Sequence, residues 1–122
     1  MKAAVLNDKQ ILVVEDEPFI AMLIQDLLEE MGCRPIGPAR SVDEGKQLIA
    51  EHSCDAAIVD LNLGKERSYD LIDILVARKV PVIVATGYGN ADPRVPAQCP
   101  VVQKPFRVEI LQKTLEGLLQ AS

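Results

Sequence analysis

Five short, largely apolar runs constrain this chain more than any other feature. They are Gln10-Ile11-Leu12-Val13-Val14, Cys33 to Ala39, Asp55-Ala56-Ala57-Ile58-Val59, Val80-Pro81-Val82-Ile83-Val84-Ala85 and Pro100 to Gln103. The first, third and fourth show no alternation of apolar and polar residues, as expected of central strands covered on both faces. The second carries Pro35 and Pro38, which push it to a sheet edge. Between the runs lie apolar residues at helical spacing. Pro18 suits a first helical position, Phe19, Ile20, Met22, Leu23, Leu27, Leu28 and Met31 follow, and Gly32 reads as the stop. Ser41-Val42-Asp43-Glu44 matches a capping box and opens a helix to about His52. Leu71, Ile72, Leu75 and Val76 mark a helix from Ser68 to Arg78, and Arg107 to Gln120 makes the last, with Val108, Leu111, Leu115 and Leu118 inward. The stretch Gly87 to Pro100 holds two glycines and three prolines, so a helix there is short or irregular. Strands alternating with helices specify an α/β fold, a five-stranded parallel sheet doubly wound with helices on both faces.

The length of 122 residues fits one domain, expected to span 1–122 with its core at about 10–120 and with no second, output domain. With aromatics at 3% and no Trp, its core must be aliphatic. A net charge of -5 without a basic stripe disfavours direct nucleic-acid binding. Cys33, Cys54 and Cys99 are scattered and His52 stands alone, so a zinc site is excluded. His52 reads as a helix-end or surface residue and the cysteines as plain core or surface residues. An odd cysteine count without a signal peptide points to a reducing, cytoplasmic setting, and no apolar stretch is long enough for membrane insertion.

The ends of the strands carry the chemistry. The first ends in Glu15 and Asp16, the third in Asp60, the fourth in Thr86 and the fifth in Lys104. In a doubly wound sheet these ends share one rim, where ligands bind. Clustered carboxylates resist ionisation unless a cation sits among them. A hard divalent ion answers that need, Mg²⁺ above all, with Mn²⁺ as a substitute. A carboxylate beside such an ion, a lysine and a hydroxyl suits phosphoryl transfer.

Four pieces, in order and on strand ends, resemble the receiver domain of response regulators in two-component signalling. They are Val13-Val14-Glu15-Asp16-Glu17, Ile58-Val59-Asp60-Leu61-Asn62-Leu63, Val84-Ala85-Thr86-Gly87-Tyr88 and Lys104-Pro105-Phe106. The resemblance covers about Gln10 to Gln120 and implies a flavodoxin-like strand order of 2-1-3-4-5. It implies that Asp60 is the phospho-acceptor, taking a phosphoryl group from a sensor histidine kinase or a histidine phosphotransfer protein. Asp16 is then the main metal carboxylate, Glu15 its acidic neighbour, and Asn62 the donor of a backbone carbonyl to the metal. Thr86 is implied as the switch hydroxyl, Lys104 as the partner of the phosphoryl group, and the Lys104-Pro105 bond as cis. The signal would leave through contact with a downstream protein, by way of the last helix, its preceding strand and the irregular loop. Turnover would be limited to the protein's own phosphorylation and dephosphorylation.

Two departures stand out. Val101 occupies the place, three residues before the lysine, where receivers often carry a rotating aromatic. Ala85-Thr86-Gly87-Tyr88-Gly89 resembles the stand-alone subgroup with a Phe-Ala-Thr-Gly-x-Tyr type motif, with Val84 in place of the Phe, and Tyr88 could share the switching role. Asn62 and Tyr88, each two residues past a key position, are expected to tune hydrolysis of the phosphoryl group. Other readings compete. Asp60 alone could be a turn residue, Glu17 an acid favoured near a helix N-terminus, Lys104 a solvated lysine, and Tyr69 and Phe106 packing residues. A metal-dependent phosphohydrolase would need a second acid where Asn62 stands. An adapter that works without phosphorylation, or a receiver excised from a longer protein, completes the set.

Overall fold

The computed structural model describes residues 4–87 and 92–120. After a 3₁₀ turn at Ala4–Leu6, the elements run β1 (Gln10–Val14), α1 (Pro18–Glu30), β2 (Arg34–Ala39), α2 (Val42–Glu51), β3 (Ala56–Asp60), β4 (Asn62–Leu63), β5 (Glu66–Arg67), α3 (Tyr69–Ala77), β6 (Val82–Thr86), β7 (Val101–Gln103) and α4 (Val108–Gln120). The main sheet is parallel throughout, in the order β2-β1-β3-β6-β7. Counted over its own five strands this is the expected 2-1-3-4-5.

Period-two alternation divides the aliphatic core between the two faces. Leu12, Val14, Ala57, Val59, Val82 and Val84 pack with Ile49 of α2 and Leu71, Ile72 and Leu75 of α3. Ile11, Val13, Ala56, Ile58, Ile83 and Val102 pack with Ile24 and Leu28 of α1 and Leu111, Leu115 and Leu119 of α4. Because both faces are covered, residues 11–14 of β1, 56–59 of β3 and 82–85 of β6 are apolar without a break. Leu6 of the 3₁₀ turn closes the second layer, a contact with no periodic signal in the sequence.

Several expectations need correcting. In α4 the inward stripe is Leu111, Leu115 and Leu119, whereas Val108 is exposed and Leu118 is half-buried. The spacing admits either leucine of the pair, and packing buries Leu119 in the layer while Leu118 lies against its margin. The capping box is half formed. Ser41 Oγ accepts from the Glu44 N–H at 3.1 Å, but Glu44 Oε1 accepts from the Arg40 N–H rather than from that of Ser41. The described part of the Gly87 to Pro100 stretch, Gly87 and 92–100, contains turns and no helix, while 88–91, with Tyr88, lie outside the described residues. The hairpin β4–β5 was not foreseen. It turns through Gly64-Lys65, with Gly64 at a φ of +63°, as a two-residue turn with glycine first requires. Lys104-Pro105 is cis, as the resemblance implied, and so is Gly37-Pro38. Among the described residues no helix is long and apolar enough to cross a membrane.

Candidate functional site

Sheet register assembles the site. Val14 lies opposite Val59, so Glu15 and Asp60, each one residue further on, emerge side by side. Asp60 lies opposite Ala85, and Thr86 opposite Gln103, the residue before Lys104. Backbone bonds extend these pairings past the strands. Leu61 N–H donates to the Ala85 carbonyl and Lys104 N–H to the Thr86 carbonyl, each at 2.9 Å.

The side chains then converge. Lys104 Nζ donates to Asp60 Oδ2 at 2.8 Å and to Glu15 Oε1 at 3.1 Å. The remaining carboxylate oxygens take backbone donors. Asn62 N–H reaches Asp60 Oδ1 and Glu17 N–H reaches Glu15 Oε2, both at 3.1 Å. Glu15 is 1% exposed and Asp60 3%, so both carboxylates sit largely out of water. Burial is the main reason that the Glu15 carboxyl is pushed up to about 7; the neighbouring Asp60 adds to it, and Lys104 offsets it only in part. For Lys104 burial acts to lower the pKa, but the bonds and charges of Asp60 and Glu15 outweigh it and hold the ammonium above its ordinary value.

Asp16 adds a third carboxylate. One oxygen each from Glu15, Asp16 and Asp60 lie within 4.8 Å of one another, and this is the one such group among the described residues. Ile20, Asn62, Gly64 and Gly87 join them around an open cleft of about 430 Å³. A Cβ on Gly64 would lie 3.7 Å from Asp16 Oδ2, an ordinary contact, so it is the positive φ rather than crowding that favours glycine there. Three carboxylates against one ammonium leave an excess of negative charge on hard oxygen donors. That donor set fits a divalent cation such as Mg²⁺.

Of the residues singled out in the sequence, Glu15, Asp16, Asp60, Asn62 and Lys104 line this one cleft. Thr86 is buried at the end of β6, beside the cleft rather than in its wall. Val101 is 46% exposed on β7. His52 caps the C-terminus of α2, exposed and distant from the site. Cys33, Cys54 and Cys99 are free and belong to no part of it, and burial pushes the Cys33 thiol up to about 11.

Two features escaped the sequence. Ser68 is fully buried, and its hydroxyl donates to the backbone carbonyl of Asp60 at 2.7 Å. A serine opening a helix reads as an N-cap, which hides this use. Tyr69 is no mere packing residue. Its hydroxyl donates to Asp92 Oδ2, and the Arg94 guanidinium lies 4.1 Å from the ring centroid, tying the loop after β6 to the start of α3. Nothing in the spacing of residues 69 and 92 signals that pairing.

Comparison with known proteins finds matches over most of the chain. The family model for the response regulator receiver domain matches residues 11–116. The phyllosphere-induced regulator PhyR of Methylorubrum extorquens is 38% identical over 82 residues, covering 65% of this chain and 31% of PhyR. The nitrogen assimilation regulatory protein NtrX of Azorhizobium caulinodans is 30% identical over 118 residues, covering 90% of this chain and 26% of that protein. The chain thus spans about a third or less of these curated relatives. SdrG from Sphingomonas melonis Fr1 superposes with a TM-score of 0.80 at 40% identity, covering 92% of this chain and 97% of SdrG. The receiver domain of PhyR from Erythrobacter litoralis shares the fold, with a TM-score of 0.84 at 24% identity over 95% of this chain and 93% of that one.

Proposed function

The chain belongs to the response regulator receiver domain family, and from that premise we propose that Asp60 is its phospho-acceptor. The observation that carries this reading is the meeting of Asp60 with Lys104, Glu15 and Asp16 at one rim. A carboxylate oxygen of Asp60 attacks the phosphorus of a phosphohistidine on a sensor histidine kinase or a histidine phosphotransfer protein. The new P–O bond forms as the P–N bond breaks, and the departing imidazole nitrogen keeps the electron pair and takes up a proton. Lys104, already 2.8 Å from Asp60, is positioned to pair with the transferred group. The Asn62 N–H holds the acceptor carboxylate from the other side. The Thr86 hydroxyl, at the next strand end, is the group that would respond to the new charge.

Glu15, Asp16, Asp60 and the backbone carbonyl of Asn62 would hold Mg²⁺. Bound there, the ion supplies charge neutralisation for the phosphoryl oxygens. SdrG, 39% identical in its BeF₃-activated conformation, supports the same reading, because beryllofluoride is a tetrahedral stand-in for a phosphoryl group. The chain acts as a signalling module rather than as an enzyme on external substrates, and a downstream protein reads the phosphorylated state.

Incubation with phosphoramidate or acetyl phosphate tests this directly. Intact mass should rise by about 80 Da, for one phosphoryl group, when Mg²⁺ is present. Asp60→Asn should abolish the gain. A gain that persists in Asp60→Asn would move the acceptor elsewhere.

A further inference from the structure

Beyond the residues that meet the phosphoryl group, we infer that Ser68 is a positioning residue for Asp60; this inference rests on the acceptor role proposed above. Ser68 is the N-cap residue of α3, yet its side chain makes no capping hydrogen bond. A serine at that place ordinarily accepts from a helix N–H, which stabilises the helix. Here the hydroxyl turns away and donates to the Asp60 carbonyl at 2.7 Å, inside a pocket where Ser68 has no exposed surface. Its own N–H donates to the Leu61 carbonyl at 3.1 Å, and its carbonyl accepts from Ile72 N–H at 3.1 Å.

These bonds clamp both ends of the loop from Asp60 to Ser68. Inside that loop, the Asn62 N–H holds Asp60 Oδ1 at 3.1 Å. The peptide plane of Asp60 is therefore tied at its carbonyl by Ser68 while its carboxylate is tied by Asn62 and Lys104. Rotation of that plane would move the attacking oxygens relative to Asp16, and misplacing a reacting group by about 1 Å can slow transfer by about a hundredfold. A residue that only supported α3 would have kept the capping bond. Ser68 gives up that role and holds the acceptor instead.

The test compares rates of phosphorylation by phosphoramidate at saturating Mg²⁺ and phosphoramidate, read by intact mass. Ser68→Ala, and Ser68→Cys, which keeps the volume but offers only a weak donor, should both lower that saturating rate roughly tenfold or more. Leu75→Val, a core change in the same helix, should lower the melting temperature yet leave the rate within about twofold. If Ser68→Ala does not fold, Ser68→Cys carries the comparison alone. A parent that is phosphorylated alongside Ser68 variants no slower than Leu75→Val would overturn the positioning role. A parent that takes up no phosphoryl group from phosphoramidate would overturn the acceptor reading, and this inference with it.

Discussion

Glu15 carries the strongest pH dependence of the site. In the fold its carboxyl is raised from an ordinary 4.5 to about 7, mainly by burial. Its protonated form is therefore the one that favours folding. That contribution is complete below about pH 4.5 and is lost as pH rises through about 7. The cation-free protein should thus lose stability across this window, and Glu15→Gln should flatten the loss. Melting curves in chelator between these pH values check it, and an unchanged slope in Glu15→Gln would refute the assignment. The same proton competes with a cation for the cluster. Mg²⁺ affinity should rise by up to about tenfold per pH unit below 7 and level off above, which calorimetric titration at several pH values reads. Glu15 also shows what residue types alone could reveal. An acid at a strand end is visible in the sequence, and its partners were implied by the other strand ends. The use of Ser68 was not, because a buried hydroxyl is recognised only by the carbonyl it meets.

Among the elements, β2 is held narrowly by backbone on both sides. Gly37 has a φ of +105°, and a Cβ there would lie 2.8 Å from the Ala39 nitrogen and 2.9 Å from the Val13 carbonyl oxygen, both backbone atoms. Gly37→Ala should therefore cost about 2 kcal/mol or more of unfolding free energy, readable by urea denaturation. A neutral result would mean that β2 can shift against β1. In the loop after β6, Tyr69→Phe removes the bond that ties Asp92 to α3. Because Tyr69 and Asp92 sit near the surface, where water replaces the lost bond, the stability cost should be small. The amides of Arg94 and Val95, which donate to Asp92, should exchange faster with deuterium. Unaltered exchange would show that the loop is held by other contacts. Which elements were legible follows from the same physics. Strands β1, β3 and β6 announced themselves because burial on both faces forbids polar residues within them. The hairpin of β4 and β5 did not, since two-residue strands have no period to detect, and only Gly64 hinted at the turn. In α4, the residues at 118 and 119 are both leucine, and only packing could choose between them.

For the whole molecule, two aliphatic layers hold the register of the sheet, and that register alone brings Asp16, Asp60 and Glu15 from two strand ends to within reach of one ion. In an unfolded chain Asp16 and Asp60 are separated by 44 residues, so a divalent cation finds no comparable cluster there. Binding to the folded state alone must then stabilise the entire sheet. At a hundredfold excess over its dissociation constant, Mg²⁺ should add about 2.7 kcal/mol. For a chain of this size that is a rise in melting temperature of roughly 10 °C. Asp16 is only half-buried at the cleft, so Asp16→Asn should keep the fold while losing most of that rise. Leu75→Val offers the converse, a lower melting temperature at every Mg²⁺ concentration but the same increment on adding the ion, because Leu75 lies in the layer formed with α2 and α3, away from the rim. An equal rise in Asp16→Asn and the parent would place the stabilising ion elsewhere on this acidic surface. The absence of any rise at millimolar Mg²⁺ in the parent would leave the three carboxylates as a structural ion-pair network around Lys104.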